Sequence, residues 1–89
     1  MASTSSENRT RIDIIASILD ACHYGTKKTR VMYQCNLSFR QLTDYLDLLS
    51  KANLLIIEND RRFTLLRVSS KGKDLLKAYN SMKTIMNSS

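Results

Sequence analysis

The sequence predicts a small, mainly α-helical domain of the α+β class, in which three helices precede a β-hairpin and a fourth helix follows it. Three observations predict this order. Apolar residues recur at helical spacing in three stretches of the chain. Two short β-favouring runs flank the turn-forming pair Asn59-Asp60. The length of 89 residues fits one domain, whose thin core favours pairing with a second copy.

The first helix follows a polar, Ser-rich stretch, residues 1–9, which we expect to be a disordered tail. Thr10 is a candidate N-cap for this helix, and Gly25 is a candidate stop beyond its end. The apolar residues on one side of it are Ile15, Ile18, Leu19 and Cys22. Thr29 is a second candidate N-cap and predicts a short helix over residues 30–35.

The third helix has a well-defined start, because Ser38 and Gln41 form the S-x-x-Q pattern of a capping box. We predict its end near Ala52, where Asn53 can take the left-handed conformation that closes many helices. The residues of its apolar face are Leu42, Tyr45, Leu46 and Leu49. The break before this helix, Asn36–Ser38, is short, as a helix-turn-helix requires.

The pattern then changes to a hairpin, with predicted strands at Leu54–Ile57 and Phe63–Val68. Apolar residues lie on both faces of the second strand, so its phase is ambiguous. Ser69 is a candidate cap for a last helix over residues 70–86. An apolar seam on this helix has steps of four, three and four residues: Leu75, Tyr79, Met82 and Met86. The seam fits either a coiled coil with a second copy or packing on the first helix, and we favour the dimer.

This order of elements is the layout of a winged helix-turn-helix domain, in which the hairpin is the wing. We therefore predict a winged helix-turn-helix domain over residues 10–69 and a dimerisation helix over residues 70–89.

Several stretches also resemble a family of small archaeal winged-helix proteins. Arg11–Leu19 resembles the first helix of that family, and Ser69–Gly72 resembles the step that starts its final helix. Thr29–Tyr33, followed by Asn36–Phe39, is similar to the most distinctive stretch of the family. The resemblance covers roughly residues 10–80.

The resemblance implies a DNA-binding transcriptional regulator of archaeal type, or a small chromatin-associated protein, located in the cytoplasm at the nucleoid. Members of the family commonly dimerise through the last helix as an antiparallel coiled coil. The chain departs from the family in its shorter final helix. It also has Asn53 where members often have glycine, and asparagine tolerates the same backbone region.

The distribution of charge narrows the class of partner. The chain has 14 Lys and Arg against 8 Asp and Glu, and this net charge of +6 favours a polyanion. The surplus lies mainly in residues 61–89, whereas residues 37–60 carry two basic and four acidic groups. No apolar run approaches the length of a membrane span, and the N-terminus lacks the apolar core of a secretory signal. We therefore expect double-stranded DNA as the partner and no membrane.

In the winged-helix layout the third helix enters the DNA major groove with its N-terminal end at the base edges. Arg40 suits guanine, Gln41 suits adenine, and Thr43 suits a thymine methyl group or a phosphate. The basic residues beside the second helix and at the hairpin tip are placed for phosphates. The predicted interface is Lys27, Lys28, Arg30, Ser38, Phe39, Arg40, Gln41, Thr43, Arg61 and Arg62. Each of these side chains is also consistent with an ordinary solvated surface.

The sequence predicts neither a catalytic site nor a metal site. His23 is the only histidine, and both cysteines, Cys22 and Cys35, fit the core. No Gly-rich phosphate loop is present, so we expect no enzyme activity, no cofactor and no small-molecule substrate. Two other functions remain open: non-specific DNA binding of the chromatin type, and a module that binds proteins.

Overall fold

The computed structural model describes residues 9–87, which form four α-helices and three β-strands. The elements are α1 Arg11–Ala21, β1 Thr26–Lys27, α2 Lys28–Gln34, α3 Phe39–Lys51, β2 Leu55–Asn59, β3 Thr64–Val68 and α4 Ser70–Asn87. The predicted fold class is confirmed, with the three-helix, hairpin and final-helix order. The expected tail lies outside the described residues except for Arg9, whose guanidinium donates to the Cys35 carbonyl at 2.9 Å.

Capping boxes start both α1 and α3, which confirms the N-cap predicted at Thr10 and the capping box predicted at Ser38 and Gln41. In the first, Thr10 Oγ1 accepts from the Asp13 amide at 3.2 Å while the Asp13 carboxylate accepts from the Thr10 amide at 3.1 Å. In the second, Ser38 Oγ accepts from the Gln41 amide at 3.1 Å, and Gln41 Oε1 accepts from the Ser38 amide at 2.9 Å. Asn53 closes α3 with φ of 62°, the left-handed conformation expected for it.

The core lies where the apolar faces of α1, α2 and α3 meet the inner face of the sheet. Leu42, Leu46 and Leu49 of α3 are buried as predicted, while Tyr45 is half-buried at the edge of the core. The other buried members of this cluster are Ile18, Leu19, Cys22, Val31, Cys35, Leu37, Leu55, Leu66 and Val68. The predicted core positions of both cysteines are confirmed.

The short strand β1 was not predicted from the sequence. The chain turns at Gly25, which has φ of +87°, and Thr26 then pairs with Leu66 while Lys27 pairs with Leu65. The sheet has the order β1-β3-β2 and is antiparallel throughout. Because this pairing keeps Lys27 extended, α2 begins at Lys28, and the prediction of Thr29 as its N-cap was wrong.

The hairpin is displaced slightly from its predicted position. β2 begins at Leu55 and continues to Asn59, and Phe63 lies in the turn, where its carbonyl accepts from the Asp60 amide at 2.9 Å. The phase of β3 is now defined, because Leu66 and Val68 are buried against the core. Pairing with β2 fixes this phase, since residue alternation alone permits either face of an apolar strand to point inward.

The start of α4 is joined to the end of α3. Ser69 Oγ accepts from the Gly72 amide at 3.0 Å, as expected of a cap, and donates to the Asn53 carbonyl at 2.6 Å. Lys71 Nζ donates to the Ala52 carbonyl at 3.0 Å, which satisfies one of the last carbonyls of α3. Gly72 is buried directly against the Leu54 backbone.

Farther along, α4 crosses α1. Leu75 packs against the core, Leu76 is buried, and the Tyr79 hydroxyl donates to the Asp13 carboxylate. This bond holds the pKa of Asp13 below its usual value and raises the pKa of Tyr79. Among the described helices, α4 included, none is long and apolar enough to cross a membrane.

Replacing Gly72 by alanine should destabilise the domain. A Cβ at this position would overlap the Leu54 carbonyl oxygen and lie 2.7 Å from Val68 Cγ2, so α4 would have to move. Alanine favours the helix by about 1 kcal/mol, yet we expect a net loss of about 2 kcal/mol in the free energy of unfolding, measured in urea. The control Ser81→Ala, on the exposed side of α4, should change it by less than about 0.5 kcal/mol. Equal stability of the two variants would contradict this packing.

Replacing Tyr79 by phenylalanine should weaken the dependence of stability on acidic pH. The Asp13 carboxylate contributes stability that is fully present above its unfolded-state pKa of about 3.9 and is lost as the pH falls through its lower folded-state pKa. Tyr79→Phe removes the main cause of that lowering, so stability at pH 7 should fall and its decline toward acid should become shallower. Chemical unfolding between pH 2 and pH 7 measures both effects.

The matched control is Tyr45→Phe, because the Tyr45 hydroxyl makes no hydrogen bond within the described residues. The dependence of its free energy of unfolding on acidic pH should match that of the wild type. An unchanged profile for Tyr79→Phe would show that the bond to Asp13 contributes nothing to stability.

Candidate nucleic-acid interface

Two cation–π contacts bring the start of α2 together with α3 and with the hairpin. Lys28 Nζ lies 4.5 Å from the ring centre of Phe39, the first residue of α3. Lys27 Nζ lies 4.9 Å from the ring centre of Phe63 in the hairpin turn. The β1–β3 pairing places Lys27 beside the hairpin, and Lys28 follows it as the first residue of α2. The structure thus brings α2, α3 and the hairpin into contact, which the sequence predicted only through the winged-helix layout.

A shallow groove, here called the basic groove, runs between α2 and the hairpin. Its lining residues are Lys27, Lys28, Thr29, Arg62, Phe63 and Thr64. Three cationic side chains and one aromatic ring therefore border the same depression. Phe63 was not predicted as a site residue, since the sequence placed it in a strand and its contact with Lys27 depends on the geometry of the turn.

The first turn of α3 is exposed, but several of its polar groups already have partners in the protein. Ser38 and Gln41 bond to each other in the capping box. Thr43 Oγ1 donates to the Phe39 carbonyl at 2.9 Å. Phe39 has 64% of its surface exposed, and Arg40 is exposed beside it. The groups most available to a partner here are thus an aromatic ring and a guanidinium.

The hairpin tip presents Arg61 and Arg62 to solvent. The Asp60 carboxylate accepts from the Arg61 amide and so shapes the turn. Arg67, in β3, forms an ion pair with Glu58 across the hairpin. The positive charge at the tip therefore comes from two arginines, whereas the charge of Arg67 along the strands is balanced by Glu58.

Arg30 does not lie in the basic groove. It lines a separate depression whose other residues are Asp20, Ala21, His23, Tyr24, Gly25, Thr26 and Gln34. The structure therefore groups Lys27, Lys28 and Arg62 but separates Arg30 from them.

A model of the winged helix-turn-helix family matches residues 8–87. The chain belongs to the winged helix-turn-helix family. Its resemblance to archaeal winged-helix proteins is confirmed by the solved structures that share the fold. One is Sso10a-2, a DNA-binding protein from Sulfolobus solfataricus, with 27% identity and a TM-score of 0.80 over 88% of this chain and 82% of that one. No curated protein sequence matches the chain significantly.

Two further winged-helix structures share the fold at lower identity. F93 from STIV, a winged-helix DNA-binding protein, has 18% identity and a TM-score of 0.75 over 91% of this chain and 97% of that one. A MepR variant from S. aureus, solved with an oligodeoxyribonucleotide, has 13% identity and a TM-score of 0.72 over 96% of this chain and 65% of that one. Within this fold, α3 is the second helix of the helix-turn-helix and the hairpin is the wing.

The winged helix carries acidic groups on the later turns of α3. Asp44 and Asp47 are both exposed, and Asp47 forms an ion pair with Lys51 at 3.1 Å. This pair makes the second half of α3 close to neutral. Along α3 the acidic groups therefore lie on the later turns, whereas the first turn carries Arg40.

The predicted seam on α4 divides into two parts. Leu75 and Tyr79 contact the core and α1 of the same chain. Met82 and Met86 keep 44% and 68% of their surfaces exposed. Leu76, which the seam did not include, is buried, because α4 presents a wider apolar face to the domain than an a/d stripe.

The two thiols are unsuited to nucleophilic chemistry. Burial raises the pKa of Cys22 to about 12 and also raises the pKa of Cys35. Both are free and buried, and Ser17 Oγ donates to Cys35 Sγ at 3.3 Å. Among residues 9–87 no group of three or more His, Cys, Asp or Glu side chains could hold a metal ion.

Proposed function

We propose that this winged helix binds double-stranded DNA in a sequence-dependent manner and acts, as a dimer, as a transcriptional regulator of archaeal type. One observation carries the proposal. Lys28 contacts Phe39 in the exposed first turn of α3, and Lys27 and Lys28 share the basic groove with Arg62 of the hairpin. This combination of a cationic flank and an exposed helix end suits a duplex, which offers phosphates beside an open major groove.

The affinity in this proposal comes from the flanks of α3. The ammonium groups of Lys27 and Lys28 rest on exposed aromatic rings, a contact worth only about 0.5–1 kcal/mol, so they can move onto phosphates at little cost. Arg61 and Arg62 extend the same cationic flank along the wing. Sso10a-2 and F93 are DNA-binding proteins of the same fold, which supports this choice of partner.

The sequence dependence in this proposal comes from α3. Its N-terminal end enters the major groove, where Arg40 donates to guanine. The later turns carry Asp44 and Asp47, whose carboxylates would be repelled by phosphates. A contact confined to the first turn of α3 keeps these carboxylates away from the DNA backbone. Arg30, on the other side of α2, is placed for a phosphate only where the duplex extends past that helix.

A second candidate is non-specific, chromatin-type binding at the nucleoid. It is favoured by the internal hydrogen bonds of Ser38, Gln41 and Thr43, which leave few polar groups of α3 for base edges. Selection of bound duplexes from a random pool separates the two functions. A defined sequence supports the regulator, and uniform recovery of all sequences supports the chromatin protein.

Removing the wing charges should weaken binding and reduce its dependence on salt. If six phosphates are neutralised, log K should fall against log[salt] with a slope of about −5. The double variant Arg61→Ala/Arg62→Ala should have a slope smaller in magnitude by about 2. Fluorescence anisotropy of a labelled duplex at several salt concentrations measures both values.

The matched control removes two charges elsewhere, in Lys73→Ala/Lys77→Ala. These lysines line a depression on α4 beside Asp20 and His23, so the salt slope should stay near that of the wild type. Equal losses in the two double variants would indicate a general charge effect. No duplex binding by the wild type would refute the proposal and leave a protein-binding module.

We also infer that dimerisation uses the outer part of α4. Met82 and Met86 share one side of the helix and are exposed, and an apolar stripe of this kind is buried when two such helices pair. A dimer would present two copies of α3 to two half-sites on one duplex. Each copy would then contribute its own wing to the phosphate backbone.

Introducing charge at this stripe should give a monomer. We expect the wild type to sediment as a dimer at high micromolar concentration, and Met82→Glu/Met86→Glu as a monomer, because paired carboxylates would face each other across the seam. The control Ser81→Glu/Thr84→Glu puts the same charge on the opposite side of α4 and should remain dimeric. A wild type that sediments as a monomer would refute the dimer.

A further inference from the structure

In the first turn of α3 the polar side chains already make local hydrogen bonds, whereas the aromatic ring is exposed. The Gln41 side chain is the clearest example. Bidentate pairing with adenine needs both the amide oxygen and the amide nitrogen of glutamine. Gln41 Oε1 already accepts from the Ser38 amide at 2.9 Å, so a bidentate pair with adenine would have to share this oxygen with the capping box that starts the helix.

The neighbouring hydroxyl groups also make hydrogen bonds within the start of the helix. Ser38 Oγ accepts from the Gln41 amide, and Thr43 Oγ1 donates to the Phe39 carbonyl one turn earlier. Ser38, Gln41 and Thr43 can therefore read a base only with the donors and lone pairs that these local bonds leave over.

Phe39 stands out among these groups because its ring has no competing role in the core. It is 64% exposed at the first helical position, although a phenylalanine of this size is usually buried. The Lys28 ammonium, 4.5 Å from the ring centre, covers part of one face of the ring and leaves the rest accessible. The ring thus sits on a rigid helix start, next to a cation that suits a phosphate.

We propose that Phe39 reads the 5-methyl group of a thymine in the major groove, with Lys28 contacting a phosphate beside it. This inference rests on the proposed function and adds to it the base feature that the site recognises. The thymine methyl is the one apolar group that base edges present in the major groove, and an aromatic ring is a suitable partner for it. Stacking on an unpaired base would require single-stranded DNA. It would also leave the N-terminal end of α3, which fits a major groove, without a role.

Uracil substitution tests the proposal, since it removes only this methyl group. In a duplex chosen for tight binding from a random pool, each thymine is replaced in turn by deoxyuridine, and affinity is measured by fluorescence anisotropy. For the wild type we expect binding about fourfold weaker at one or more defined positions, the effect of losing one buried methyl group. Phe39→Ala should bind the thymine duplex about fourfold more weakly and should not distinguish it from the uracil duplex.

Two control variants separate the ring contact from indirect effects. Tyr33→Ala removes another exposed aromatic ring, on α2, and should keep the full preference for thymine. Phe39→Leu keeps an apolar side chain and should retain part of the preference. The salt slope of Phe39→Ala should equal that of the wild type, because the ring carries no charge. Thermal unfolding checks that each variant is folded.

The possible outcomes are distinct. A wild type that binds duplex DNA without distinguishing thymine from uracil overturns this inference and leaves the proposed function intact. The inference is also overturned, with the proposed function intact, if Phe39→Ala keeps the preference for thymine. A wild type that binds the single strand more tightly than the duplex has the same consequence. Absence of any duplex binding refutes the proposed function and this inference together.

Discussion

The pairing of β1 with β3 is the constraint on which the candidate interface depends. Two residues, Thr26 and Lys27, are held extended against Leu65 and Leu66, and α2 starts immediately after them. The Cys22 carbonyl at the end of α1 accepts from the Val68 amide at 3.0 Å, so the same strand is also fixed to the first helix. The ladder holds Lys27 beside Phe63 of the hairpin, and the helix that follows it begins with Lys28, which contacts Phe39. A contact between distant parts of the chain thus places the charges of the basic groove.

The cations of this protein fall into two groups with different physical roles. Arg9, Lys71 and Arg67 bond to the Cys35 carbonyl, the Ala52 carbonyl and the Glu58 carboxylate, and so contribute to the fold. Lys27 and Lys28 instead rest on exposed rings, where the contact is weak and the ammonium stays solvated. The net charge of +6 therefore does not indicate which of the cations are held by the fold and which can move to a polyanion. In the proposed binding mode, the weakly held cations are Lys28 beside the start of α3 and Lys27 beside the hairpin turn.

Local features of the fold could be predicted from the sequence, and non-local ones could not. The caps at Thr10 and Ser38 and the left-handed Asn53 depend on a few neighbouring residues, so their patterns identify them directly. Strand β1 has only two residues and exists because β3 is beside it, which no local pattern contains. The start of α2 was misplaced for the same reason. Phe63 was missed because its position depends on a turn that begins one residue later than the turn-forming pair suggested.

The last helix combines a role in the fold with the exposed stripe that the proposed dimer would use. Its first half is committed to the domain through the buried Gly72 and Leu76. The Asp13 carboxylate then accepts from the Tyr79 hydroxyl with one oxygen and from the Thr10 amide with the other, so the cap of α1 also fixes the direction of α4. The exposed methionines beyond this point extend from a helix whose orientation is already set. A second copy would therefore meet a preorganised stripe, and less ordering entropy would oppose association than for a flexible arm. The Asp13 carboxylate, which caps α1 and also binds Tyr79, thus helps to set where a partner helix and its α3 would lie in the proposed dimer.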